Sequence, residues 1–485
     1  MIDRDIKKES LKGFTWRVVQ NISTQLASFA IQIVLARILL PEDYGIVALT
    51  STFIAILNVI VTTGFSSSIV QKKEITDLDK SSMFYLSVFV GLILYGIVFA
   101  VAPALSSFYN ISLLSSVFRI QGISLIVASV SSVHNATLIR HLDFKKSFIA
   151  SFVSVICQGA VGITMAFLGY GVWALVFATL ANNLVNCCML FILCKWIPKS
   201  GFSISSTKKM FSFSFKVLLG NLLNTVYNSI KTLIIGKVYD SEMVGYYNKG
   251  YSFPTTMMVG IDGAMTTVLF STLSKIQDDK ERFVLYLRKS MKLSLTIVVP
   301  MLCGMAAVAD PMIRVLLTDK WEGAIPFVML TCAICLSWPL SARTQALNAV
   351  GKSGTNLIIN IIMKVIGIGL IIASIPFGVY VMCLSSLVGS AISFFTYSII
   401  ISKNFNYSFK QQLVDVFPIY LLGFLMFGFV FRLSFLLNLN LIIKLIVLVA
   451  FGATFYLGLS FMLKMEGFMD IIIFIKKGFS KKKQY

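Results

Sequence analysis

Long apolar stretches alternate with short polar segments along the whole of this chain. About fourteen apolar runs follow one another, and each is long enough to cross a hydrocarbon core about 30 Å thick. We place these runs at residues 12–38, 45–69, 81–104, 114–137, 147–168, 172–194, 212–236, 245–272, 290–317, 324–348, 355–377, 378–402, 413–436 and 440–463. The pattern predicts an all-α integral membrane protein of about fourteen transmembrane helices, because helices satisfy their own backbone in lipid.

Two of the runs are noticeably more polar than the others. The first and the eighth have Gln, Asn, Ser and Thr at many positions. Polar side chains in a membrane helix usually face the interior of the bundle or a water-filled cavity. We therefore expect these two helices to face a polar interior.

Composition excludes an ordinary soluble protein. Of 485 residues, 57% are hydrophobic and only 13% are charged, and the mean hydropathy is +0.85. Soluble domains have about twice that share of charged residues. Only two histidines occur, and the segments between the runs are too short to fold into a soluble catalytic domain. We expect no enzymatic activity and no catalytic residues.

The basic residues between the runs lie mostly on one side of the predicted membrane. The N-terminal segment, the loops after the even-numbered runs and the C-terminal tail contain most of the lysines and arginines. Basic loops stay in the cytoplasm, so we predict that both termini are cytoplasmic. The net charge of +21 then reflects topology and attraction to anionic membrane lipids. The chain has no folded soluble region that could present a basic patch to nucleic acid, so we expect no nucleic-acid partner.

The beginning of the chain recurs about 200 residues later, which indicates an internal duplication. Four residues recur in the same order and at the same spacing: Asn21, Arg37, Glu42 and Gly45 correspond to Asn221, Lys237, Glu242 and Gly245. Six runs separate the two copies, so both copies have the same orientation in the membrane. We predict two parallel six-helix lobes, residues 1–200 and 201–405, around a central cavity. A terminal helix pair with a basic tail occupies residues 406–485.

Cys332 and Cys335 form a C-x-x-C pair, which can indicate a metal or redox site. No second pair or nearby histidine completes such a site. All eight cysteines fall inside apolar runs, where a free cysteine acts as a small hydrophobic residue. We predict no metal site here.

Ionisable residues inside the runs are the candidate substrate-binding groups, because a charge in the bilayer is costly and usually functional. Lys364 and Asp262 lie deepest and at a similar depth, so they can form an ion pair instead. The shallower candidates are Arg17, Arg119, Lys231 and Arg343, which can also extend to headgroups. The basic excess favours an anionic cargo, with phosphate held by Arg or Lys. For Arg37 and Lys237 we expect a role in the repeated turn.

Six short segments together carry a family resemblance. They are residues 35–45 (LARILLPEDYG), 142–145 (LDFK), 169–175 (GYGVWAL), 235–237 (IGK), 245–249 (GYYNK) and 349–352 (AVGK). These segments resemble the bacterial polysaccharide transporters of the Wzx type, a family in the superfamily of multidrug-and-toxin extruders and lipid II flippases. Their order and spacing cover roughly the first 400 residues.

The resemblance implies a flippase in the bacterial inner membrane. Such a protein moves polyprenyl-pyrophosphate-linked oligosaccharides from the inner to the outer leaflet by alternating access. It implies a cationic cavity and no cofactor. It also leads us to expect membrane lipids, a polysaccharide polymerase and glycosyltransferases as partners in the synthesis of capsule or lipopolysaccharide.

Two other functions remain open from the sequence. An ion-coupled multidrug extruder of the same fold would use acidic membrane residues and an apolar pocket, for which Met257, Met258 and Met265 are available. A methionine stripe at helical spacing is more often packing. A purely structural membrane protein is disfavoured by the polar first and eighth runs.

Overall fold

The described part of the chain is helical and contains no β-strand. The structure is a computed structural model that describes residues 2–72, 74–199 and 201–481. Within these ranges it describes only the backbone of residues 2–15, 18, 64, 65, 205, 206, 209–213, 216, 262, 264, 267, 268 and 474–481.

The first eight helices have these bounds: α1 Ile2–Ile38, α2 Pro41–Gln71, α3 Asp77–Tyr109, α4 Leu113–Arg140, α5 Phe144–Phe167, α6 Val172–Cys194, α7 Ile204–Val238 and α8 Ser241–Lys275. The remaining nine are α9 Lys280–Ala307, α10 Ala309–Leu317, α11 Ile325–Cys335, α12 Ala342–Ala349, α13 Ser353–Ser374, α14 Val379–Asn404, α15 Phe409–Leu436, α16 Leu441–Met462 and α17 Glu466–Lys481. Short 3₁₀ turns occupy Asp319–Ala324, Trp338–Ser341 and Ile375–Phe377.

Eleven stretches of the described residues are long and apolar enough to cross a membrane. They are α2 to α6, α9, the interrupted stretch Asp319–Ala349, and α13 to α16. The chain is therefore a multi-pass membrane protein. The predicted run 290–317 is divided into two helices, α9 and α10. The tail contains a further helix, α17, which the sequence pattern did not predict.

Local sequence explains where several helices begin. Pro41 stands in the first turn of α2, where its missing N–H removes no helical bond, and the Asp43 carboxylate accepts from Leu40 N–H at 3.1 Å. At the start of α3, Thr76 and Asp79 form a reciprocal capping box. Such caps satisfy backbone donors that the first turn leaves unpaired.

The stretch Asp319–Ala349 is interrupted near its middle. Pro339 cannot donate to the helical ladder, and the chain forms a 3₁₀ turn at Trp338–Ser341 between α11 and α12. The Tyr420 hydroxyl of α15 donates to Leu336 O at 2.6 Å, which satisfies a carbonyl at the break. Irregular backbone at membrane depth is tolerated where protein groups satisfy it in this way.

The chain divides into two compact units, Met1–Asn248 and Lys249–Tyr485, with the boundary inside α8. In the first unit, α1 packs on α5, α5 on α6, and α2 on both α4 and α7. Small residues permit the close approach, because Gly159 lies against Ile31 and Gly162 against Ala178. In the second unit, α15 packs on α9 and α16, and α13 packs on α14. The lobe boundaries 1–200, 201–405 and 406–485 stay a prediction from the repeat.

Candidate functional site

Arg343 is the most deeply buried of the candidate residues whose side chains the structure describes. It lies in α12 just after the helix break and is 2% exposed. Its guanidinium donates to Ser398 Oγ at 2.5 Å, to Phe394 O at 3.3 Å and to Leu340 O at 3.3 Å. It also lies 4.7 Å from the centre of the Phe394 ring. These contacts fix α12 against α14, so Arg343 organises the second unit around the break.

Hydrogen bonds between polar side chains link α12, α13 and α14. The Tyr397 hydroxyl donates to Asn356 Oδ1 at 2.8 Å and accepts from Asn360 Nδ2 at 3.2 Å. Asn356 Nδ2 donates to Asn348 Oδ1 at 3.0 Å. This network was not predicted from the sequence, although Asn356, Asn360 and Lys364 recur every fourth residue and therefore share one helix face.

Lys364 lies near the middle of α13 and is half-buried. Its neighbours Ile361, Ile362 and Val365 are exposed, as expected for a lipid-facing surface. Lys364 is on the more buried side of the helix, which it shares with Asn360. This placement agrees with a charge directed away from lipid.

The other candidates are distant in sequence from Arg343 and Lys364. In the first unit, Arg17 lies 3.3 Å from Gln20 Oε1 and 5.6 Å from the Phe144 ring centre. Arg119 donates to Phe99 O at 3.3 Å and lies 4.2 Å from the Phe99 ring centre. Lys231 in α7 is half-buried. The side chain of Asp262 lies outside the described residues, so its pairing with Lys364 stays a prediction.

The duplicated motif meets its own copy within the first unit. A Cβ at Gly45 would lie 1.6 Å from Ser241 O, and a Cβ at Gly245 would lie 2.0 Å from Pro41 O. The first turns of α2 and α8 therefore touch through reciprocal glycines, which no larger residue permits without movement. Ser241 Oγ also donates to Glu42 Oε1 at 3.4 Å.

Lys237 in the second copy of the motif has a structural partner. Its ammonium donates to Phe108 O at 2.5 Å and lies 4.2 Å from the Phe108 ring centre. Phe108 is in the last turn of α3, where carbonyls lack helical partners and a cation is favourable. This contact gives Lys237 a structural role at the end of α3.

A cluster of charged residues in the second unit was also not predicted from the sequence. The buried Asp415 carboxylate accepts from Arg288 at 2.7 and 2.8 Å, from Lys292 at 2.8 Å and from Tyr407 Oη at 2.7 Å. Lys292 also pairs with Glu466. The cluster joins α9, α15 and α17. The sequence indicates this cluster only through Asp415, an acidic residue inside an apolar run.

The chain matches the family model described as polysaccharide biosynthesis protein over residues 34–326, which is more than half of its length. It is 22% identical to the lipopolysaccharide biosynthesis protein WzxC of Escherichia coli (strain K12), with 68% of each chain covered. It is 24% identical to the succinoglycan biosynthesis transport protein ExoT of Rhizobium meliloti (strain 1021), with 71% of this chain and 70% of that one covered.

Solved structures share the fold at low sequence identity. The lipid II flippase MurJ in an inward closed conformation superposes with a TM-score of 0.74 at 15% identity, covering 94% of this chain and 99% of that chain. An inward-facing multidrug resistance transporter of the MATE family gives a TM-score of 0.61 at 17% identity, covering 80% and 98%. The chain therefore has the helical fold that these transporters share.

Proposed function

Because the chain belongs to the polysaccharide biosynthesis protein family, we propose that it is a flippase for lipid-linked oligosaccharides. The cargo is a polyprenyl-pyrophosphate-linked repeat unit that moves from the inner to the outer leaflet. The observation that carries this proposal is the family match over residues 34–326 in a chain with the fold of a lipid flippase.

The names of three relatives support a role in polysaccharide biosynthesis. They are described as proteins of lipopolysaccharide, succinoglycan and teichuronic acid biosynthesis, and ExoT is described as a transport protein. The transport named for ExoT is an activity that a multi-pass membrane protein of this family can supply. Transport, and no enzymatic reaction, is the role that we assign to this chain.

The proposed topology has fourteen spans. To the eleven apolar stretches we add α1, α7 and α8, which have 37, 35 and 35 residues. Their lower hydropathy agrees with helices that face a polar interior. Two parallel six-helix lobes, residues 1–200 and 201–405, then enclose a central cavity. The basic loops support cytoplasmic termini in a bacterial inner membrane.

Lys364 is our first candidate for contact with the pyrophosphate, because it lies at mid-helix on the side that faces away from lipid. Arg17, Arg119 and Lys231 remain candidates for contact with the anionic cargo, and Asp262 remains a candidate through an ion pair with Lys364. Arg343 donates to three protein oxygens, so we propose that it positions α12 and α14 for the cargo. Alternating access moves the cargo when the cavity opens first to one face and then to the other.

The second candidate function is an ion-coupled multidrug extruder, which the MATE-like fold supports. It is less supported, because the MATE superposition covers less of the chain and has a lower TM-score than the MurJ superposition. The names of the relatives also point to polysaccharides. A polymerase and glycosyltransferases are the partners that the proposed pathway requires.

A reconstitution experiment tests the flippase proposal. Purified protein in liposomes is expected to transfer a fluorescent polyprenyl-pyrophosphate sugar to the opposite leaflet, where a membrane-impermeant quencher detects it. Protein-free liposomes and a cationic dye serve as controls. Transport of the dye without transport of the lipid-linked sugar would replace the flippase with the extruder.

A further inference from the structure

Helix α17 begins at the level where α9 enters its apolar stretch. Lys292 is the last charged residue of α9 before the uncharged stretch 293–307. Lys292 pairs with Glu466, the first residue of α17. A Cβ at Gly467 would lie 2.4 Å from Thr296 Oγ1 and 3.0 Å from Lys292 O. The first turn of α17 is therefore held directly against α9 at this boundary.

The sequence of α17 is amphipathic. Glu466, Asp470, Lys477 and Lys481 recur at spacings of four, seven and four residues, which places them on one helix face together with the exposed Ile473. On the opposite face, positions 468, 471, 472, 475 and 479 are all Phe or Ile. A helix of 16 residues with this pattern, about 24 Å long, fits the plane of a membrane surface.

The chain after the last span is strongly basic. It contains six lysines, at positions 464, 476, 477, 481, 482 and 483, and two acidic residues, Glu466 and Asp470. Glu466 is already paired with Lys292 of α9. Lysine clusters on an amphipathic helix beside a transmembrane segment are typical of binding to anionic lipids.

We propose that α17 lies in the membrane surface next to α16 and binds anionic phospholipid headgroups through Lys476, Lys477 and Lys481. Its apolar face enters the boundary between headgroups and acyl chains, and the contact of Glu466 and Gly467 with α9 fixes its start. This lipid site does not depend on which cargo the protein moves.

The test uses the full-length protein in nanodiscs of phosphatidylcholine, with or without phosphatidylglycerol. A genetically encoded fluorescent amino acid reports polarity at position 472 on the apolar face or at position 470 on the polar face. We expect a blue shift at position 472 that grows with phosphatidylglycerol and decreases with salt. Position 470 is expected to keep the same spectrum in both lipids and at both salt concentrations.

The variant Lys476→Gln/Lys477→Gln/Lys481→Gln isolates the charges. Loss of three lysines is expected to weaken phosphatidylglycerol binding by about a hundredfold, so the shift at position 472 should fall to its phosphatidylcholine value. The matched Lys→Arg variant should keep the shift. Size-exclusion profiles establish that both variants are folded.

Three outcomes would overturn the proposal. One is a water-like spectrum at position 472 in both lipids. Another is a shift that the Lys→Gln substitutions leave unchanged. The last is a shift that occurs only when a nanodisc contains two copies of the protein, because the apolar face would then be covered by a second copy.

Discussion

At the scale of single residues, a charge inside a membrane helix requires polar partners, and Asp415 shows how they are supplied. Its carboxylate accepts from Arg288, Lys292 and Tyr407 at 2.7–2.8 Å. Arg288 contacts it with two nitrogens, which fixes both the distance and the orientation. Removing one member of such a charged cluster is costly, because the remaining charges then lose their partner.

The substitution Asp415→Asn is expected to destabilise the second unit. A neutral amide at this position would leave the cations of Arg288 and Lys292 without their carboxylate, and we expect a loss of about 2 kcal/mol or more. Thermal unfolding in detergent measures the change. Glu281→Gln removes an exposed carboxylate and is the matched control. Equal melting temperatures for the two variants would contradict the structural role of Asp415.

Replacing Lys364 by Ala is expected to lower flipping by about tenfold to a hundredfold, the equivalent of one charge-assisted hydrogen bond. Liposome transport of the lipid-linked sugar measures it, with expression and Tm as folding controls. Lys364→Arg should retain most activity, and Lys410→Ala at an exposed lysine should retain all of it.

The double variant Lys364→Ala/Asp262→Ala separates two explanations for that loss. If Lys364 only neutralises Asp262, the double variant should transport better than Lys364→Ala alone. If Lys364 contacts the cargo, the double variant should not recover. Full transport by Lys364→Ala itself would remove the residue from the cargo path.

At the scale of helices, the contact between the starts of α2 and α8 depends on the absence of two side chains. Gly45→Ala and Gly245→Ala would each place a Cβ within 2.0 Å of a backbone oxygen, so the helices must move apart. We expect both variants to lower Tm and flipping. Gly96→Ala is the control, because a Cβ there meets nothing within 4 Å. A Tm for Gly45→Ala equal to that of Gly96→Ala would contradict the close contact.

The positions of most helices could be predicted from the sequence, because hydropathy records which segments enter lipid. The partner that satisfies the backbone at the Pro339 break could not, since the Tyr420 hydroxyl that donates to Leu336 O lies 84 residues away in the chain. The candidate charges could be found by the same reasoning. Their contacts could not: hydropathy gives the depth of Arg343 but does not place Ser398, 55 residues away in the chain, beside it.

At the scale of the whole molecule, the distribution of basic residues predicts that both termini lie in the cytoplasm. Reporter fusions at the C-terminus test this prediction, since alkaline phosphatase is active outside the cytoplasm and green fluorescent protein is fluorescent inside it. We expect fluorescence from the tail fusion and no phosphatase activity. A fusion after residue 239, between α7 and α8, should show the reverse pattern. The same signal at both sites would require a different number of spans.

The reciprocal glycines at the starts of α2 and α8 also bear on how easily these two helix starts can separate. Interlocked side chains have to change rotamers before two helices separate, whereas bare backbone surfaces can slide apart without such rearrangement. Between Gly45 and Ser241, and between Gly245 and Pro41, backbone lies against backbone, and the hydrogen bond from Ser241 Oγ to Glu42 Oε1 also crosses this seam. Separating the starts of α2 and α8 would therefore break a side-chain hydrogen bond but would require few rotamer changes.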